Sequence, residues 1–190
     1  MKILTFDIEE WFHILDNEST KTVKQWESFE YRIDSNIDRI LELLADKNQK
    51  ATFFCLGWIA LKFPHILKKI SSCNYEIGSH SNLHRLVYEQ SRKEFKADLR
   101  DSINRIEDII GKKVKSYRAP GFSLINNSKW VFEELLAAGI EIDCSIFPTS
   151  RAHGGFLNFP SNKPVIIDIA DREIKEFPIN TISFASKSFV

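Results

Sequence analysis

Two histidines, His80 and His84, stand four residues apart directly after a short run that is predicted to end a β-strand. If His84 lies in the first turn of a helix, this spacing turns both imidazoles to one side, with their Cβ atoms about 6 Å apart. Imidazoles at that separation can bind one metal ion, and zinc is the ion that such pairs most often hold. Because an HxxxH pair also occurs in ordinary surface turns, a carboxylate from elsewhere in the chain is needed to complete a metal site.

A cluster of carboxylates lies near the N-terminus. Asp7, Glu9 and Glu10 follow a short apolar run and adjoin Trp11 and Phe12. A solvated turn rarely carries two large aromatic residues beside its charges, so the cluster is predicted to be functional. As isolated aromatic residues, however, the two side chains more often belong to a core.

The elements that must position these residues alternate along the chain. Apolar runs predict strands over residues 2–6, 51–56, 75–79, 114–117, 140–144, 165–169 and 173–177. Helical spacing and capping residues predict helices from Ser35 to about Leu44, after Trp58 with a break at Pro64, from Ser91 to Gly111, and over residues 127–138, whereas residues 14–31 are predicted to form a long loop. This alternation indicates an α/β fold with βα units around a parallel sheet or barrel.

Parallel strands of such a fold end at one rim, and the chemistry gathers beyond their carboxyl ends. Asp7, His80, Arg118 and Asp143 each follow or end a predicted strand. The sequence therefore predicts that one rim collects all of these side chains.

Length and composition set further bounds. The chain has 190 residues, 43% of them apolar and 27% charged, with 26 basic and 26 acidic side chains, which is typical of one globular domain spanning residues 1–190. No basic run indicates a nucleic-acid partner, and no apolar run approaches the roughly 18 residues that a membrane span needs. The three cysteines form no CxxC motif, which indicates buried free thiols in a reduced compartment, and we expect a cytoplasmic location. The sequence leaves the oligomeric state open.

These motifs resemble the NodB-type polysaccharide deacetylases, carbohydrate esterase family 4, and in particular the branch whose first motif reads FDxEEWFH. Four of the five family motifs occur in order between Lys2 and about Asn180. The resemblance implies a distorted, incomplete (β/α)7 barrel. It also implies a metal-dependent hydrolase that removes N-acetyl groups from an N-acetylated sugar during assembly of a surface polysaccharide. Zn²⁺ is the implied cofactor, and such sites also accept Co²⁺, Fe²⁺ or Ni²⁺.

The first two motifs imply a general base and the metal ligands. Asp7 matches the general base of the family, and both histidines of HSxxH, His80 and His84, match metal ligands. Most relatives carry the acidic ligand directly after the base, where this chain has an isoleucine. The ligand is then Glu9 or Glu10, and a D-x-acid pattern in some relatives favours Glu9.

The next two motifs imply residues around that base. Arg118 matches the arginine that orients the base, and Pro120 and Gly121 of the same motif are predicted to contact substrate, as are Trp11 and Phe12. In the fourth motif, the residue that matches the family aspartate is Asp143. In the family this aspartate tunes the histidine that protonates the leaving amine.

The fifth motif, which supplies that histidine near the carboxyl end, has no counterpart here. We therefore expect the chain to lack its C-terminal part. His153 or His13 could stand in for the missing acid, although neither matches the motif, and His65 is predicted to lie at the surface. Two alternative functions remain: hydrolysis of a cyclic amide or ureide at the same site, and an inactive fragment that binds metal or glycan without turnover.

Overall fold

The computed structural model describes residues 3–157, 159–160, 162–184 and 187–189, and it has an α/β fold. The strands are β1 (Thr5–Ile8), β2 (Thr52–Cys55), β3 (Glu76–Ser79), β4 (Ser116–Tyr117), β5 (Ile142–Asp143), β6 (Val165–Ile169), β7 (Arg172–Glu176), β8 (Ile182–Phe184) and β9 (Lys187–Phe189). The helices are α1 (Val23–Trp26), α2 (Ile33–Asp46), α3 (Gly57–Lys62), α4 (Pro64–Ser72), α5 (Arg92–Ile110) and α6 (Trp130–Ala137).

Seven strands form one sheet in the order β1-β2-β3-β4-β5-β7-β6, and β8 pairs with β9 in a separate hairpin. Neighbours from β1 to β5 and the β5–β7 pair are parallel, whereas β6 runs antiparallel to β7 at the edge. Within the described ranges no ladder joins β1 to β6, so the sheet stays open. The incomplete barrel expected from the sequence is confirmed, and the parallel strands end at one rim.

Apolar stripes on the helices pack against this sheet and leave little of the core exposed. On α2 the stripe consists of Ile33, Ile37, Leu41 and Leu44, all buried at the spacing that the sequence indicates. Helix α5 begins at the predicted capping box of Ser91 and ends at the predicted C-cap glycine, Gly111, which adopts a φ of +65°. The boundaries of α5 are therefore set by local chemistry.

The predictions for two helix starts and for the loop over residues 14–31 were wrong. Helix α2 begins at Ile33 instead of after Ser35, because the carboxylate of Glu10 accepts hydrogen bonds from its first backbone N–H groups. The expected loop over residues 14–31 contains the short helix α1, which has a capping box at Thr22. The last helix begins at Trp130, after a separate 3₁₀ turn.

Two further sequence expectations concern thiols and membranes. All three cysteines are free, and Cys55 and Cys144 are buried, but Cys73 is exposed on the surface, so the prediction of buried thiols was wrong for that residue. No helix in the described part of the chain is long and apolar enough to cross a membrane.

Candidate metal and catalytic site

The segment that carries both histidines is a tight loop, so the helix considered for His84 in the sequence analysis does not form. Ser81 has a φ of +70° and His84 a φ of +53°, and the Ser81 hydroxyl accepts a hydrogen bond from the His84 N–H. Asp98 of α5 accepts the N–H groups of Asn82 and Leu83 at 2.7 and 3.2 Å. These N–H groups bond to side chains, which offers the backbone an alternative to helical hydrogen bonds.

The start of α3 fixes the same loop from its other side. Gly57 N–H donates to the Ser81 carbonyl at 2.9 Å, and Trp58 N–H donates to the Asn82 carbonyl at 3.0 Å. A Cβ atom at Gly57 would lie 2.4 Å from Asn82 Oδ1, so only glycine permits this close approach. The histidine loop is therefore held rigidly between α3 and α5.

A hydrogen bond fixes the tautomer of His80. Its Nδ1 lies 2.8 Å from the backbone carbonyl of Arg118, and because a carbonyl only accepts, Nδ1 carries the hydrogen. The lone pair is then on Nε2, as in a histidine that binds metal through Nε2. Burial lowers the pKa of His80 from its usual value, an effect that nearby Asp7 opposes, so the neutral ligand form is favoured.

Glu9 completes the cluster. One ligand atom from each of Glu9, His80 and His84 lies within 4.8 Å of the others. Glu9 Oε2 is 2.9 Å from His84 Nε2, yet this buried oxygen has no hydrogen-bond donor among the described residues. A buried carboxylate oxygen without a donor is costly unless a cation neutralises it. The donor set of two imidazoles and one carboxylate fits a divalent metal ion such as zinc.

Glu10, the other acidic residue considered for this role, is used elsewhere. Its Oε1 accepts the N–H groups of Arg32 and Ile33 at 2.7 and 2.9 Å, which stabilises the positive N-terminal end of α2. The structure thus brings Glu9, and not Glu10, to the two histidines.

Asp7 lies beside this cluster and is held by Arg118. Arg118 Nη1 donates to Asp7 Oδ1 at 2.9 Å, and its Nε donates to the Cys144 carbonyl at 3.3 Å. The guanidinium also lies over the ring of Phe54, 4.4 Å from its centroid. Asp7 Oδ2 is 4.0 Å from His80 Nε2. One carboxylate oxygen is therefore anchored, while the other faces the cluster and can accept a proton.

Asp143 lies at the same rim but has a different set of partners. It is fully buried and accepts from the Ser145 hydroxyl at 2.6 Å, and it shares a hydrogen bond with the buried carboxyl of Glu176. Burial raises the pKa of both carboxyls, and the neighbouring Asp143 raises that of Glu176 further, so the pair retains a proton.

The role implied for Asp143 was to tune a histidine, but no histidine contacts it in the described residues. Sequence reasoning missed Glu176 as its partner. A usable signal existed, because Glu176 ends β7 as Asp143 ends β5, and the two are aligned across neighbouring strands.

The four predicted substrate contacts differ in exposure. Phe12 is fully buried among the rings of Phe29 and Trp58, so the prediction that it contacts sugar was wrong, because no surface of it remains exposed. Trp11 is 47% exposed, whereas Pro120 is buried and Gly121 is partly exposed. Only Trp11 offers a large apolar face.

The remaining histidines occupy three different environments. His13 is buried, its Nδ1 accepts the Glu10 N–H at 2.9 Å, and burial together with nearby His84 and His80 lowers its pKa to about 3. His65 is on the outside of α4, where it pairs with Asp34, as expected for a surface residue. His153 lies in the loop after β5.

Comparison with known proteins gives a consistent assignment. A family model described as polysaccharide deacetylase matches residues 4–140. A peptidoglycan-N-acetylglucosamine deacetylase of Bacillus cereus is 34% identical over 97 residues, which are 50% of this chain and 35% of that protein. A second protein of the same name and organism is 25% identical over 103 residues, 54% of this chain and 38% of its own length. The matches thus span little more than a third of these relatives.

Solved structures show the same fold. A crystal structure described as a putative polysaccharide deacetylase from Mycobacterium smegmatis superposes with a TM-score of 0.74 at 20% identity, covering 94% of this chain and 58% of that one. A CE4 family pseudoenzyme from Bacillus anthracis superposes with a TM-score of 0.56 at 23% identity, covering 73% and 40% of the two chains. With the family model matching well over half of its residues, the chain belongs to the polysaccharide deacetylase family, which confirms the resemblance seen in its motifs.

Proposed function

We propose that this chain is the catalytic region of a metal-dependent N-deacetylase that acts on an N-acetylated sugar of a surface polysaccharide. The observation that carries the proposal is the cluster of Glu9, His80 and His84 beside Asp7, whose carboxylate Arg118 anchors. A set of three metal ligands with an anchored carboxylate beside it provides the groups that a hydrolytic site needs.

Glu9, His80 and His84 would hold the metal ion, with Zn²⁺ the first candidate and Co²⁺, Fe²⁺ or Ni²⁺ also compatible. Three protein ligands are the set found in catalytic zinc sites, in contrast to the four of structural sites. When bound, such an ion supplies a Lewis acid for the acetyl carbonyl and lowers the pKa of water.

Asp7 is placed to act as the general base. As water attacks the acetyl carbon, Asp7 Oδ2 takes its proton, since Oδ1 is already bonded to Arg118. The carbon–nitrogen bond then breaks, its electron pair stays on nitrogen, and a proton must reach that nitrogen to give a free amine and acetate. Arg118 keeps the base in place throughout through its two polar contacts and its stacking on Phe54.

Two observations support a sugar substrate. The Bacillus cereus relatives are named for deacetylation of N-acetylglucosamine in peptidoglycan. Trp11, next in sequence to the acidic cluster, presents an exposed indole whose Nε1 is fixed by the Glu30 carbonyl at 3.0 Å. A rigid exposed aromatic face suits stacking on a pyranose ring. The cytoplasmic location expected from the sequence remains a prediction, and it would make the substrate a polymer precursor.

The test is acetate release by the metal-loaded protein from N-acetylglucosamine oligomers and from peptidoglycan, with Asp7→Asn as the matched variant. We expect release that falls by about 10²–10⁴-fold in Asp7→Asn, because the general base is lost. Verified metal occupancy without acetate release from any N-acetylhexosamine conjugate would contradict the proposal. Hydrolysis of cyclic ureides in place of acetamides would favour the amidohydrolase alternative.

A further inference from the structure

Helix α5 contacts the segment that carries both candidate metal-binding histidines through three polar side chains. They are Asp98, Ser102 and Arg105, which are four and three residues apart, the spacing that brings side chains to the same side of a helix. Ser102 Oγ lies 2.8 Å from Ser79 Oγ, and both serines are fully buried. Ser79 ends β3 and directly precedes His80, so α5 fixes the chain just before the first histidine.

Asp98 fixes the backbone between the two histidines. Its Oδ2 accepts the N–H of Asn82 at 2.7 Å, and its Oδ1 accepts the N–H of Leu83 at 3.2 Å. Both carboxylate oxygens are thus used on consecutive backbone groups, and Leu83 directly precedes His84. The side chain of Asp98 therefore sets the path of the chain from His80 to His84.

Asn82, which lies between the histidines, is fixed at three separate polar groups. Its N–H donates to Asp98, its carbonyl accepts the N–H of Trp58 at 3.0 Å, and its side-chain Oδ1 accepts from Arg105 Nη1 at 2.9 Å. Only 6% of the residue is exposed. Two side chains of α5 consequently hold the same buried residue, one through its backbone and the other through its side chain.

The histidine loop needs this support because its backbone is strained. Ser81 and His84 have φ angles of +70° and +53°, and such angles cost free energy in residues other than glycine. A strained backbone of this kind persists only where the surrounding structure determines it. The separation of the two imidazoles therefore depends on the contacts that α5 and α3 make with the loop.

We propose that Asp98 is a positioning residue for the metal ion, assisted by Arg105, an inference that rests on the metal-binding part of the proposed function. Asp98 is not itself one of the three clustered ligands. It holds the two imidazoles at the separation that one ion requires before the ion binds. A preorganised set of ligands has less conformational freedom to lose on binding, so its affinity is higher. Removing a group that orients metal ligands typically lowers metal affinity by about 10–100-fold.

The experiment measures Zn²⁺ affinity and the visible absorption of bound Co²⁺, which reports the geometry of its ligands. We expect Asp98→Asn to lower Zn²⁺ affinity by about 10-fold or more and to alter the Co²⁺ spectrum, because the amide keeps one acceptor oxygen and replaces the other with a donor. Arg105→Gln should lower the affinity about threefold, since the loop loses one hydrogen bond. Asp101→Asn is the matched control on α5 and should change neither quantity, because Asp101 pairs with Arg100 at the helix surface. Thermal unfolding of each metal-free protein gives its stability.

A merely structural role for Asp98 predicts a different result. Lost stability lowers the fraction of folded protein but leaves the Zn²⁺ affinity and the Co²⁺ spectrum of the folded fraction unchanged, and this result in Asp98→Asn would overturn the proposal. If Asp98→Asn does not fold, Arg105→Gln decides, and unchanged Zn²⁺ affinity in that variant would overturn the proposal. If the unmutated chain binds no metal, the metal site of the proposed function fails, and the role of Asp98 fails with it. Metal binding that Asp98→Asn weakens, without hydrolysis of any acetamide, would support the role of Asp98 while contradicting the deacetylase function.

Discussion

Asp7 and Asp143 both lie at the carboxyl ends of parallel strands on one rim, yet their surroundings are opposite. Asp7 is partly exposed and bonded to the cation of Arg118. Asp143 is fully buried and bonded to a second carboxyl, Glu176, and to the hydroxyl of Ser145. One carboxylate can exchange a proton with substrate and solvent, whereas the other shares a trapped proton with its neighbour.

The difference shows that a place on the rim does not by itself make a carboxylate catalytic. The buried pair instead connects backbone segments, because Glu176 Oε1 accepts the Ile146 N–H at 3.2 Å and Ser145 Oγ accepts the Ala119 N–H at 2.8 Å. Ala119 directly follows Arg118, so the pair of Asp143 and Glu176 supports the strand end that presents the arginine. We interpret Asp143 as a structural support of the site.

The largest effect is expected for the arginine that anchors Asp7, the partly exposed carboxylate. Arg118→Met should lower kcat of the deacetylation by about 10²-fold, because an unanchored base at Asp7 loses the alignment that the reaction needs. Arg118→Lys keeps the charge but not the two separate donors, so its kcat should lie between that of the unmutated protein and that of Arg118→Met. Steady-state kinetics with matched thermal unfolding measure this, and full activity in Arg118→Met would mean that Asp7 needs no anchor.

A second prediction concerns the buried pair and the pH dependence of stability. The pKa of Glu176 is raised in the folded protein, so above about pH 4.5 the unfolded chain releases a proton that the folded chain retains. The free energy of unfolding should therefore fall as pH rises above that value, with a slope of up to about 1.4 kcal/mol per pH unit until the folded group also ionises. Glu176→Gln should flatten this slope, as followed by urea unfolding between pH 4 and pH 8.

Glu173→Gln is the matched control for that measurement, since Glu173 lies on the same strand but is exposed. It should leave the slope unchanged. If Glu176→Gln keeps the pH dependence of the free energy of unfolding seen in the unmutated protein, the proton is not held by the pair of Asp143 and Glu176. The contrast drawn between Asp7 and Asp143 would then be wrong.

The smallest effect is expected at Trp11. Trp11→Ala should raise KM for an N-acetylglucosamine oligomer about fivefold at unchanged kcat, since aromatic stacking on a ring contributes about 1 kcal/mol. Trp11→Phe should retain most of the affinity because a ring remains. If Trp11→Ala leaves KM unaltered, the exposed indole is not part of the sugar-binding surface.

Much of this site can be predicted from the sequence because its residues lie at the ends of predicted strands. Alternation of strands and helices placed Asp7, His80 and Arg118 on one rim, and the strands that carry them are those expected. Local rules failed where a distant partner decides the outcome. The left-handed turn at His84 depends on Asp98 of α5, and the proton held at Asp143 depends on Glu176, which is far along the chain. The contact with Asp98 leaves no mark in the local pattern, whereas the contact with Glu176 could have been inferred only from the alignment of two strand ends.

Local sequence patterns also could not predict which single aromatic residues are buried. Trp11 and Phe12 are adjacent and of similar character, but one is half exposed and the other has no exposed surface. The three-dimensional packing of α1 and α3 against Phe12 decides this, and the sequence alone does not indicate which of the two turns inward.

Elemental analysis with zinc-binding titrations tests whether Glu9, His80 and His84 hold one divalent ion. The proteins to compare are the unmutated chain, Glu9→Gln, the double variant His80→Ala/His84→Ala, and Glu10→Gln, in which the amide still accepts from the N-terminus of α2. We predict about one zinc per chain in the unmutated protein and in Glu10→Gln, an affinity at least tenfold lower in Glu9→Gln, and none in the double variant. Absence of zinc binding by the unmutated chain, or loss of binding in Glu10→Gln with retention in Glu9→Gln, would contradict the assignment of Glu9 as the acidic ligand of a metal site.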